Sequence, residues 1–284
     1  MLHTSSLSTP YAEYEVFFIS SYVLTGRYFP IWHPHSPATP KTNLNLTLAS
    51  QPNSLTLARM TRSLPRLPSS LATDIPNSCR QLLLVLSPST DSPSAQSWLL
   101  ERPNGGPWHL HNGPFTTTLG RSGLAWGAGL HRSSPPPNFP LKTEGDNRSP
   151  AGLFPISQAF GIAPQTHASH LHLPYIPITE HTIGVDDVTS KHYNQIVDDR
   201  QVFRDWVSHE AMIQFAKLYE WGAVIAHNPD CIPGLGSCIF LHLAPEGDQA
   251  TSGCTALNAQ DLQSTLHWLD PAKHPLLLQG LASW

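Results

Sequence analysis

Proline, more than any other residue, limits how this chain can fold. Its 28 prolines run from Pro10 to Pro275, and each fixes φ and removes a backbone donor, so long helices and central strands fit only between them. With 18 glycines adding turns and only 13% of residues charged, about half the usual charged share, the expectation is a mainly β chain with a few helices, an α+β fold of short strands and loops. The segment from Met1 to about Ile75 is rich in Pro, Ser, Thr and Asn and keeps no period of 2 or 3.6. It reads as low-complexity or disordered, which leaves 76–284 as the folded domain and makes a chain beginning near Thr73 as foldable as the whole.

Order is expected from Gln81. Leu82 to Leu86 is an apolar run bounded by Pro-Ser-Thr-Asp-Ser-Pro, the pattern of a strand entering a turn. Trp98 to Arg102 and Trp108 to His111 flank an Asn104-Gly105 pair, the strongest short hairpin signal because both central turn positions need positive φ. A further strand is read at Phe115 to Leu119. Ser208 suits the cap of a helix reaching Trp221, with Met212, Phe215, Ala216 and Tyr219 on one face. A second helix follows Asn258, with Asp261 in its first turn and Leu262, Leu266 and Leu269 in one stripe before Pro271. Between the two, Ala223 to Ala226 and Cys238 to Leu243 read as buried strands.

Charge and length remove several functions. A net charge of −4 and a pI near 6.4 lack the basic footprint of a nucleic-acid binder. No run of about 18 apolar residues exists, so no transmembrane segment is expected. Val16 to Leu24 is a poor export signal, because Glu13 and Glu15 stand where positive charge belongs. Four cysteines at positions 79, 231, 238 and 254 contain no Cys-x-x-Cys pair. Cys231 and Cys238 are close enough in sequence for a disulfide only if their loop folds back, and the oligomeric state is left open.

The chemistry concentrates in the last third. His242 ends an apolar strand and Thr251-Ser252-Gly253-Cys254 follows after a short polar loop, just ahead of the second helix. A cysteine after glycine can present its sulfur at an open turn whose N–H groups stabilise negative charge. A histidine within reach would take the thiol proton and create a nucleophile for acyl transfer. The same spacing also fits a small buried cysteine and a core histidine bonded to a carbonyl. A metal hydrolase built on His227, His242 and other histidines competes with both, although no compact zinc signature is present.

Phe240-Leu241-His242 followed by Ser252-Gly253-Cys254 resembles the catalytic motif of the L,D-transpeptidase (YkuD-like) family. Upstream, Lys142 to Phe154 is similar to that family's segment ending in Pro-x-Gly-x-Phe, and Gly120 to Gly127, Asp186-Asp187 and His192-Tyr193-Asn194 are similar to a divergent bacterial branch. The resemblance spans roughly residues 80 to 272. It implies a β-sandwich catalytic domain of the cell envelope or periplasm, free of cofactor and metal, that acts on peptidoglycan stem peptides. Cys254 would attack a tetrapeptide stem and release D-alanine, and an amine from another stem would resolve the thioester into a cross-link. Water doing so instead would make an L,D-carboxypeptidase, and a non-catalytic peptidoglycan-binding relative is the remaining alternative. By position Cys254 is the nucleophile, His242 its base, and Gly253 with the Cys254 N–H the oxyanion donors. Thr255 and Ala256 stand where the family commonly has Ile or Val and then Arg, and Ser252 replaces the commoner His, Arg or Asn. Asp146, Arg148, His227, Tyr193 and Ser252 are the candidate substrate-binding residues, each also compatible with a loop salt bridge or a turn hydrogen bond.

Overall fold

The computed structural model describes residues 64–247 and 249–284. Residues 1–63, most of the segment expected to be disordered, lie outside them. The remainder of that segment is ordered. Ser69–Ala72 forms a single helical turn, α1, whose Leu71 is fully buried, and Ile75 is buried as well. Between them Asp74 accepts hydrogen bonds from the Arg132 and Ser133 N–H groups at 2.9 and 3.2 Å. The expected boundary at residue 76 is therefore too late. Leu71, Ile75 and Asp74 fasten this stretch, too few residues to register as a period.

The chain is mainly β with few helices. The first strands are β1 Gln81–Ser87, β2 Ser94–Glu101, β3 His109–Thr118, β4 Leu124–Trp126 and the long β5 Ser149–Gly161. Every residue of β1 is buried, as the apolar run Leu82–Leu86 requires of a strand covered on both faces, and β2 pairs it on one edge and a later strand on the other. The β2–β3 hairpin forms, with Glu101 opposite His109. Asn104 and Gly105 both have positive φ, 52° and 73°, inside a connection longer than the two-residue turn. The strands expected at 108–111 and 115–119 are one strand, β3, bulged against β2 between Ser97 and Leu100.

Next come β6 Tyr175–Pro177, β7 Thr182–Val185, β8 Gln195–Asp198, β9 Glu210–Ala211, β10 Trp221–Ile225, β11 Phe240–Leu243 and β12 Thr255–Leu257. Helix α2, Ala259–Trp268, and β13, Leu276–Leu281, end the chain. Pairing runs β10-β11-β12-β3-β2-β1-β13-β5 and returns to β10, because β5 pairs β13 through Gly152–Pro155 and β10 through Ile156–Gly161. Strands β8-β7-β9 make a separate small sheet with its own cluster of Ile183, Val185 and Trp206.

Helix α2 follows the sequence reading. Asn258 caps it by accepting from the Asp261 N–H at 2.9 Å, and Leu262 and Leu266 are buried beside Leu241 and Leu257. The helix expected from Ser208 to Trp221 does not form. Glu210 and Ala211 pair with β7, Met212–Phe215 is a 3-10 turn, and Trp221 already belongs to β10. The Ser208 hydroxyl goes to Asp186 instead of capping, and the Leu218 and Glu220 carbonyls accept from Leu243 and Ile162. Strand pairing at both ends, Glu210 and Ala211 with β7 and Trp221 with Gly161 of β5, holds the backbone extended where the helix would have to begin and end. Met212 and Tyr219 still bury the same face, against Phe160 and Phe240.

Candidate active site

Parallel pairing of β11 with β12 places Leu241 opposite Thr255 and His242 opposite Ala256. One step back, Phe240 faces Cys254, so His242 and Cys254 are diagonal neighbours on one face of the sheet. Both line a cavity of about 340 Å³, together with Ser252, Gly253, Tyr219 and Glu210. The turn carrying Cys254 is held from behind. Its carbonyl accepts from the Thr251 and Ser149 hydroxyls at 2.7 and 2.9 Å, and the next side chain, Thr255, donates to buried Gln279 at 2.9 Å. Gly253 has φ of +150°, and a Cβ there would lie 3.3 Å from the Arg148 carbonyl, so the position before the cysteine suits glycine alone.

The half-buried Cys254 sulfur accepts from the Phe240 N–H at 3.4 Å, and its proton points to the Cys238 carbonyl at 3.7 Å. Burial, reinforced by the Glu210 charge, pushes the thiol up to about 12, against the opposing pull of the Phe240 N–H and Lys142. Helix α2 adds nothing to thiolate stability, because β12 separates its start at Ala259 from Cys254.

His242 is buried, and burial lowers its pKa to about 4 against the hydrogen bond to Leu243. Its Nδ1 lies 2.7 Å from the Leu243 carbonyl. A carbonyl only accepts, so Nδ1 carries the proton and Nε2 holds the lone pair. The Tyr219 ring packs edge-on against the imidazole, with centroids 5.4 Å apart, and restrains its rotation. His242 and Cys254 are not hydrogen-bonded to each other in this resting arrangement; the thiol must turn away from the Cys238 carbonyl to deliver its proton, a tightening that catalytic pairs commonly reserve for the bound state.

The other sequence candidates separate. Ser252 stays at the cavity rim, where its hydroxyl accepts from Arg121 at 3.1 Å while the same guanidinium reaches Asn147 at 2.6 Å. The Gly253 N–H is spent on the Thr251 hydroxyl at 3.2 Å, which removes it as an oxyanion donor. Arg148 is structural: it donates to the Leu124 carbonyl at 3.0 Å and pairs with Asp91 at 2.8 Å. Asp146 closes a turn, taking Lys142 at 2.5 Å and the Thr143 and Arg148 N–H groups.

Tyr193 is buried, donates to Glu144 and accepts from the Gly236 N–H at 3.1 Å; it reaches the cavity only through Glu144, which lines it. His227 is buried with Nε2 on the Leu235 carbonyl at 2.8 Å, and it lines a different cavity from His242. That separation leaves the metal-hydrolase reading without its two named histidines in one place, and among the described residues no group of three His, Cys, Asp or Glu is placed to hold a metal ion. Cys231 and Cys238 are free thiols.

Sequence reasoning missed Glu210, Tyr219, Lys142 and Ser149. Lys142 and Ser149 stand inside or beside the Lys142–Phe154 motif, which was the available signal. Glu210 and Tyr219 were assigned to a helix, and their pairing at 2.8 Å had no signature in spacing. Asn194 was quoted within a motif without a role; its side chain ties the His227 and Asn228 carbonyls to the Cys238 N–H at 2.8 to 2.9 Å, fixing the entry to β11.

Comparison of the chain with family models, curated proteins and solved structures finds no match.

Proposed function

We propose that this chain is a cysteine-dependent acyltransferase of the L,D-transpeptidase type, acting on peptidoglycan stem peptides in the cell envelope. The observation that carries this reading is the shared cavity of Cys254 and His242, in which His242 Nδ1 is committed to the Leu243 carbonyl and Nε2 is left to accept a proton. Together with the motif resemblance, it supports a thiol and a neutral base beside a pocket large enough for a peptide end. Attack of sulfur on the donor carbonyl releases the leaving amine, which takes the proton that His242 accepted. The mainly β class matches the coarse fold that the resemblance implies, and its β-sandwich arrangement belongs to the proposal.

Donor recognition departs from the family pattern. Thr255 and Ala256 are buried within β12, so that strand sends no cation into the cavity. Lys142 lines the cavity but is taken by Asp146, whereas Arg121 is held on Ser252 of the motif and on Asn147, and we assign it the donor carboxylate. Incubation with purified tetrapeptide muropeptides tests the reading by product mass. A joined dimer with loss of D-alanine supports transpeptidation, loss of D-alanine alone makes the chain an L,D-carboxypeptidase, and an unchanged substrate overturns both.

A further inference from the structure

The cavity around Cys254 has carboxylates in its wall. Glu144, Asp186 and Glu210 line it. Each is held by a hydroxyl, from Tyr193, Ser208 and Tyr219 respectively. No salt bridge reaches any of the three among the described residues, and the one ammonium on the wall, Lys142, is taken by Asp146 at 2.5 Å. Glu210 is the deepest in consequence. It sits on β9, its carboxylate bonds the Tyr219 hydroxyl whose ring contacts His242, and its charge is felt by the Cys254 sulfur. A carboxylate left unpaired beside a nucleophile raises that nucleophile's pKa, so it opposes the first half of the reaction. It favours a step in which a cation arrives.

Resting on the acyltransferase reading, we propose that Glu210 is a further catalytic residue that receives the acceptor's primary ammonium and takes its proton, which makes the site one for amine acceptors rather than water. The balance is closed. The ammonium gives one proton to the Glu210 carboxylate, the freed nitrogen lone pair forms a C–N bond to the thioester carbonyl, and the C–S bond breaks. The second nitrogen proton ends on the departing sulfur by way of His242, and the products are an amide, the Cys254 thiol and neutral Glu210, which returns its proton to solvent. Burial holds the Glu210 carboxyl up at about 6 against the Tyr219 hydrogen bond, with Asp186 adding to the rise, so at neutral pH it is ionised to receive the ammonium and is a stronger base than an ordinary carboxylate.

Glu210→Gln keeps the shape and an acceptor for Tyr219 but not the charge. Wild type and variant are supplied with a tetrapeptide donor and, in parallel, a stem peptide bearing a primary amine or hydroxylamine, which is uncharged at neutral pH. The amide-to-acid product ratio is read by mass, and the acyl-enzyme is read on intact protein. The variant's ratio is expected to fall at least tenfold with the primary amine and to stay within about twofold with hydroxylamine, while its acylation becomes faster because a charge raising the thiol pKa is gone. An unchanged ratio with the primary amine, or an equal fall with both nucleophiles, overturns the role of Glu210. Absence of any acyl-enzyme on wild type instead overturns the acyltransferase reading itself.

Discussion

Replacing His242 by alanine separates two ways in which Cys254 could become nucleophilic. With the thiol held up at about 12 and the imidazole down at about 4, moving the proton between them in the resting site is uphill by roughly 8 pK units, or about 11 kcal/mol at 1.36 kcal/mol per unit, before their mutual attraction is counted. The resting pair is therefore neutral, and the proton must move as sulfur attacks. In the wild type the base is available above about pH 4 and the thiol stays protonated to about 12, so the acylation rate should be flat from pH 7 to 9 and rise only below about pH 6, where Glu210 loses the charge that opposes thiol ionisation. Removing the base should lower the rate at pH 7 by about 10²- to 10⁴-fold.

The variant then depends on the rare thiolate, and its rate should climb about tenfold per pH unit, roughly 10³-fold from pH 7 to 10, with no plateau near the free-cysteine value of about 8.5. Stopped-flow loss of carbapenem absorbance under single-turnover conditions gives both profiles. A wild-type acid limb centred near 6.5, or a variant that levels off by pH 9, would refute a neutral, buried pair.

Two further outcomes test the fold. Leu71→Ala empties a fully buried site and should cost about 2–5 kcal/mol, lowering the thermal midpoint by about 4 to 20 °C for a domain of this size; an unchanged midpoint would show that the residues before Thr73 are dispensable after all. His227 and His242 both fall from 6.5 to about 4 on burial, so the unfolded chain takes up protons that the native one refuses. Stability is complete above pH 6.5 and is lost as pH falls to 4, by about 3 kcal/mol for each histidine. Urea unfolding across that window should show the slope, and a stability independent of pH between 6.5 and 4 would contradict it.

What the sequence discloses follows what is local. The α2 cap and leucine stripe, the apolar Leu82–Leu86 run of β1 and the positive-φ Asn104-Gly105 pair are decided by neighbours in sequence, and all were legible. The Cys254–His242 pair was legible because a strand and a tight turn bring it together within twelve positions. The failure at 208–221 has a different origin. Met212 and Tyr219 do share a buried face, but Glu210 and Ala211 are captured by β7 and Trp221 by β5, partners distant in sequence that no helical period reports. Asp146, Arg148 and Tyr193 are polar residues near the site whose side chains point into turns and buried ties, a choice made by three-dimensional neighbours such as Asp91 and Glu144. Leu71 escaped notice because a single buried leucine in a Pro-rich stretch carries no pattern.

The central claim is that Cys254 forms the covalent bond, and intact-protein mass after incubation with a carbapenem measures it directly. The resemblance makes a carbapenem a covalent substrate mimic. Wild type should gain one adduct mass, mapped by peptide digestion to Cys254, and Cys254→Ala, folded to the same thermal midpoint, should gain none. An adduct on the alanine variant, or one carried by Cys79, Cys231 or Cys238, would contradict the account.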